Sequence, residues 1–249
     1  MKWHRAIPIF CVLILLSVAT AGCTASLNPP YIQFNASPST AGTPAGINAQ
    51  GTTNGTAHML AVEQLGNNSY TGAVSDVVVY TQPGTGHVFV ETEPVTGVDF
   101  QETARTAVTV AAARAHVNSN QRDFEFVVSV PKGVDEVDGP SAGLPMTIAT
   151  YSAIMKKPVN QSVYSTGTID SSGTVGDVGG VYWKAEAAAQ SGARVILVPY
   201  NETVVSTTSP LETNPVGGVN LQSQLSHDGY NVTVVGVKNV DQALPYYFI

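Results

Sequence analysis

With 249 residues, 43% of them hydrophobic and only 12% charged, the chain has room for one sizeable domain, and its composition excludes a disordered polymer. A formal charge of -7 with no basic stripe speaks against a nucleic-acid partner, because phosphate neutralisation needs clustered Lys and Arg. The only cysteines are Cys11 and Cys23, so no disulfide scaffold and no cysteine-based metal site is expected. The histidines have no ligand spacing, and neither a metal nor another cofactor is expected.

In chain order, Lys2 and Arg5 precede an apolar run from Ala6 to Ala19, followed by Thr20-Ala21-Gly22-Cys23. A positive end, a hydrophobic middle and a small-residue exit are the layout of an export signal. Residues 1–23 therefore read as a signal peptide, a lipoprotein signal ending at Cys23, or a retained membrane anchor. All three place the rest of the chain outside the cytoplasmic membrane, and the first leaves it free to be secreted. Six Asn-x-Ser/Thr sequons, at Asn35, Asn54, Asn67, Asn160, Asn201 and Asn231, fit an outer surface. Residues 24–56 are rich in Ser, Thr, Asn, Gly and Pro and read as a flexible stalk with a reach of about 30 Å.

The folded domain is expected over residues 57–249. Val74–Thr81 and His87–Glu91 read as a hairpin around the Pro-Gly turn at 82–86. Asp99–Val117 reads as a helix, Phe124–Val130 as a strand stopped by Pro131, and Ala142–Lys157 as a helix with Pro145 in its first turn. Val163–Ile169, Thr174–Val178, Val195–Val198 and Val232–Val237 read as strands. Trp183–Ser191 is expected to be an Ala-rich helix and Asp241–Leu244 a last helical turn. Strands interleaved with helices predict a single α/β domain, of the α+β type with mixed sheets.

Two segments carry chemistry. In Asp138-Gly139-Pro140-Ser141-Ala142-Gly143, glycines free the backbone to turn and leave the Ser141 hydroxyl uncrowded. The following helix is expected to present unpaired N–H groups beside it, and such donors are worth roughly 10²–10³ in rate when they meet an oxyanion. Serine is also a favoured N-cap, so capping remains an alternative. Gly139-x-Ser141-x-Gly143 equally matches the elbow of α/β-hydrolases, an esterase reading that would require His227. In the second segment, Gly176 to Ala185, Lys184 lies in the first turn of a helix among Val181, Trp183, Ala185 and Ala188. A lysine acts as a base once burial brings its ammonium to a pKa near ~7–8.

Asp138–Gly143 with its helix, Ser165-Thr166-Gly167, Gly179-Gly180 and Lys184 resemble, in order and spacing, the proteolytic domain of Lon proteases. The similarity continues through Ile196-Leu197-Val198-Pro199 to Val240–Leu244 and covers residues 57–244. The overall pattern looks like exported archaeal Lon-like proteins without the ATPase module. The resemblance implies the Lon proteolytic fold and a serine endopeptidase in which Ser141 is nucleophile and Lys184 its base. It matches Thr166 to the threonine that orients the lysine and Asp138 to an acid beside the dyad, though a turn-capping role suits Asp138 as well. Thr168 stands where many Lon enzymes carry Glu, and Val127 and Ser129 replace histidines of the bacterial-type enzymes. No Gly-Lys dipeptide occurs, hence no Walker loop, and ATP-independent cleavage of unfolded or flexible polypeptides is expected. The resemblance also implies a homo-oligomeric ring, and the alternative to catalysis is a peptide-binding or ring-forming relative.

Overall fold

The computed structural model describes residues 51–65, 69–130, 134–209, 215 and 217–248. The leader, most of the stalk, both cysteines and the sequons at Asn35 and Asn67 lie outside the described residues. The described fold runs from Gly51 to Phe248. Among the described residues no helix is long and apolar enough to cross a membrane.

The elements follow as β1 (Thr53–Leu65), β2 (Ser69–Pro83), β3 (Val88–Val90), β4 (Val95–Thr96), α1 (Val98–Arg114), β5 (Arg122–Ser129) and β6 (Glu136–Val137). Then come α2 (Gly143–Met155), β7 (Val163–Ser165), β8 (Thr168–Ile169), β9 (Val175–Gly176), α3 (Val181–Gln190) and β10 (Val195–Pro199). The chain closes with β11 (Val204–Val205), β12 (Val219–Asn220), α4 (Leu221–His227), β13 (Thr233–Val237) and α5 (Val240–Tyr247). The larger sheet has the order β1-β2-β5-β3, and a three-stranded parallel sheet has the order β13-β10-β7. Mixed sheets with helices give the expected α/β class.

Two expectations change. The hairpin is β1–β2, with Thr53 opposite Thr81 and Leu65 opposite Ser69, whereas β3 pairs in parallel with β5 and not with β2. The Pro-Gly turn is held instead by Asp123, whose Oδ1 accepts the N–H groups of Thr85 and His87 at 2.8 and 2.9 Å. That bond steers the chain past β2 and onto the far side of β5. The second change concerns Thr53–Thr56, which belong to β1 and not to the stalk. Gly55 is buried there because a Cβ would stand 2.2 Å from the Ala149 carbonyl, so β1 lies directly on α2. A bare backbone is what permits that approach.

Alternation along β1 divides the interior, as successive side chains of a strand point to opposite faces. Ala57 and Met59 enter one core with Val77, Phe100, Phe126 and Ile148. Leu60 enters a second with Val181, Ala185, Ile196 and Leu221. α2 packs on the first face. On the second, a Cβ at Gly72 would meet the Trp183 carbonyl of α3 at 2.0 Å. The β1–β2 ribbon thus positions both α2, which follows Ser141, and α3, which holds Lys184.

Candidate active site

Ser141 sits in a single 3-10 turn, Pro140–Ala142, between Gly139 and the start of α2. Gly139 has φ +103°, a conformation that L side chains avoid, and this reversal turns the chain from β6 into the helix. Not all helix N–H groups are open as expected: Gly143 N–H donates to the Pro140 carbonyl, and Leu144 N–H to the Gly167 carbonyl at 3.0 Å. The Ser141 N–H has no backbone partner among the described residues. Gly143 lets the loop behind it close in, since a Cβ there would stand 2.7 Å from Ile169 N.

Lys184 occupies the first turn of α3, where Gly180 at φ +71° starts the helix and accepts the Lys184 N–H at 3.0 Å. Its side chain is only 3% exposed. Burial brings the ammonium down from 10.5 to about 8, against the pull of the Glu202 carboxylate, which favours the charged form. The Nζ atom lies 3.5 Å from Thr166 Oγ1.

Thr166 joins the two segments. It follows β7, its N–H donates to the Leu197 carbonyl, and its hydroxyl donates to the Ser141 carbonyl at 3.3 Å. Gly167 N–H donates to the same Ser141 carbonyl at 3.0 Å. Behind it, the buried Tyr247 hydroxyl donates to Ser165 Oγ at 2.8 Å and locks β7 against α5. The strand read as Val163–Ile169 therefore breaks at Thr166-Gly167, and the break is what reaches both Ser141 and Lys184.

Asp138 goes elsewhere. It is exposed, and its Oδ1 accepts the Phe100 N–H at 3.1 Å, so it supplies the N-terminal cap of α1 that Gly97 lacks a side chain to make. Gly97 must be bare because a Cβ would stand 2.0 Å from the Asp138 carboxyl carbon. The capping alternative for Asp138 thus has a definite partner, a helix 38 residues upstream.

His227 ends α4 with a side chain 84% exposed and Nδ1 on Asp228 at 3.3 Å, with no bond to Ser141 among the described residues. It is not arranged as the partner an esterase triad would require. Among the described residues, no group of three or more His, Cys, Asp or Glu is placed to hold a metal ion.

The sequence reading missed Glu202. It lies in the turn Tyr200–Glu202 after β10, is 3% exposed, and accepts the Val178 N–H at 2.9 Å. Burial pushes its carboxyl up to about 7. Its neighbours Asn201 and Thr203 read as a sequon, and nothing local marks it as buried. The one available signal was that it lies three residues beyond Pro199, the end of a buried strand.

The profile of the Lon protease (S16) C-terminal proteolytic domain matches residues 45–212, well over half of the chain. Among relatives, Lon protease 2 of Bacillus subtilis is 42% identical over 78 residues, 31% of this chain and 14% of that protein. The Lon protease of Escherichia coli K12 is 37% identical over 108 residues, 42% of this chain and 14% of the relative. The Lon protease of Mesomycoplasma hyopneumoniae is 33% identical over 141 residues, 55% of this chain and 16% of the relative. The matched part of the chain spans about a seventh of the length of these proteins. The chain belongs to the family of Lon protease (S16) C-terminal proteolytic domains.

Proposed function

We propose that the chain is a serine endopeptidase with Ser141 as nucleophile and Lys184 as general base, acting without ATP on unfolded or flexible polypeptides outside the cytoplasmic membrane. The observation that carries the reading is the buried Lys184, its ammonium near 8, sharing Thr166 with the Ser141 backbone. A lysine with that proton affinity is neutral in a useful fraction near neutral pH and becomes a base.

In the first step the Ser141 Oγ–H proton passes to Lys184 Nζ as Oγ bonds to the substrate carbonyl carbon. The negative oxygen that forms meets the Ser141 N–H. The C–N bond then breaks, and the lysine ammonium returns its proton to the departing amine. Water, deprotonated by the same lysine, attacks the Ser141 ester, and the acid product leaves as Oγ regains its proton. Thr166 keeps Nζ aimed throughout. The exported location is supported by the leader and the sequons, and a ring of copies by the family to which the chain belongs.

The test is cleavage of unfolded, fluorescently labelled casein by the full chain, with and without ATP. Equal cleavage in both conditions, abolished in Ser141→Ala and in Lys184→Ala, is the expected result. Undiminished cleavage by both purified variants would remove the dyad, and strict dependence on added ATP would remove the second half of the reading.

A further inference from the structure

Among the described residues only two acidic or basic side chains are buried, Lys184 and Glu202, each 3% exposed. Buried charges are rare in proteins unless they serve one another, because each alone loses its hydration. These two come from separate elements, α3 and the turn after β10, and no contact within 4 Å joins them among the described ion pairs. The glutamate's only hydrogen bond among the described residues is to Val178 N–H, two residues before the Gly180 that opens the lysine's helix. Glu202 therefore holds the lead-in of α3, and it is the charge that favours the lysine's ammonium against burial.

We propose that Glu202 is a positioning residue for Lys184: its carboxylate pins the entry of the lysine's helix and sets how firmly the lysine holds its proton. The assignment rests on the reading of Lys184 as general base.

The surrounding charges are accounted for. Asp177, in the loop before α3, faces Glu202 and opposes its ionisation. Glu186 and Tyr182 on α3 turn toward Asp228 beyond α4. Lys238 lies 4.1 Å over the Tyr200 ring, at the other end of the same turn. Glu202 is the charge that acts on the Lys184 ammonium, and Lys184 in turn favours the Glu202 anion. Burial outweighs both attractions, so the lysine stays easy to deprotonate and the acid stays reluctant to ionise. A carboxylate at this place prevents the lysine from becoming so weak a base that it no longer takes the Ser141 proton.

The experiment follows the ε-carbon resonance of Lys184 against pH in the full chain labelled with 13C-lysine, using Lys184→Arg to assign the signal. Glu202→Gln keeps an oxygen for Val178 N–H and deletes the charge. The Lys184 midpoint is expected to fall in that variant by about one pH unit, a roughly tenfold loss of proton affinity. Glu202→Asp should restore part of it. The acid limb of the casein-cleavage profile should move to lower pH by the same interval. In the parent the Lys184 curve should bend twice, once for the lysine and once for the glutamate, and this measurement needs no Glu202 variant to fold. A single-step parent curve, or an unmoved midpoint in Glu202→Gln, overturns the assignment. The titration is followed without catalysis, so a parent that cleaves nothing defeats the dyad, while the role of Glu202 is still decided by the resonance.

Discussion

Lys184 is held where its charged form is least welcome. Below about pH 8 the folded chain carries a buried ammonium, and the unfolded chain carries a solvated one up to about 10.5. Between those values the unfolded state binds the extra proton, so stability rises with pH through that window. The full cost is present below it. Lys184→Met is therefore expected to abolish casein cleavage and to raise unfolding free energy at pH 7 by up to ~3 kcal/mol, the value of the shift. Urea denaturation at pH 7 and pH 10 checks this, and the gain should shrink at the higher pH. Glu202 works in the opposite sense: its raised value makes stability fall as pH climbs from 4.5 to about 7. A base role for Lys184 requires the neutral amine, so on that proposal kcat/KM on casein should grow about tenfold per pH unit below its midpoint and level off above about 8. A profile flat from pH 6 to 9 would speak against Lys184 as the base. Ser141 and Lys184 were singled out by the order and spacing of their segments, and the burial of Lys184 fits the apolar residues around it in the sequence. Glu202 was not singled out, since its partners are a backbone N–H 24 residues away and a lysine on another helix.

At the scale of elements, each half of the site depends on a start. Asp138 caps α1 from outside, so Asp138→Ala should cost about 1 kcal/mol, while Asp138→Asn should retain most of the cap. If Asp138 takes no part in catalysis, both variants keep their casein kcat at temperatures where they remain folded. A large kcat loss in the well-folded Asp138→Asn chain would return the residue to the reaction. Gly180 starts α3 at φ +71° with the Val62 side chain beside it, 2.8 Å from where a Cβ would go. Gly180→Ala should therefore destabilise by ~1–3 kcal/mol and lower cleavage beyond the fraction unfolded, because the Lys184 turn must shift. Comparing circular-dichroism melts with cleavage rates separates the two effects. The long helices were legible from length and apolar content, helped by Pro158 after α2 and Gly192 after α3, and α2 ends two residues from its expected stop. The strands were legible where β-branched and aromatic residues dominate a short run, as in β5 and β10. β4 and β6 are two-residue pairings made by tertiary approach, and no local pattern announces them, whereas β8 and β9 lie within the runs read as strands, Val163–Ile169 and Thr174–Val178. α4 was hidden because its seven residues are mostly polar, with only Leu221 and Leu225 buried.

For the whole molecule, the β1–β2 ribbon is the common support. Its first four residues look like linker in composition, yet they pair with Val78–Thr81 and bury Gly55 against α2. A chain begun at Ala57 should consequently melt several degrees below one begun at Thr43, and should lose casein cleavage at temperatures where the longer form still works. Equal melting of the two would show that the edge pairing adds nothing. Thr53, at the start of this ribbon, donates its hydroxyl to the Ala153 carbonyl at 2.6 Å. At the other end of the fold, the Phe248 ring lies 5.3 Å from that of Tyr151. Both ends of the described domain therefore meet at the last turn of α2, roughly 18 Å along the helix from Ser141 at 1.5 Å per residue. A label or partner fused beside Thr53 or Phe248 would therefore attach next to that turn, the length of α2 away from Ser141.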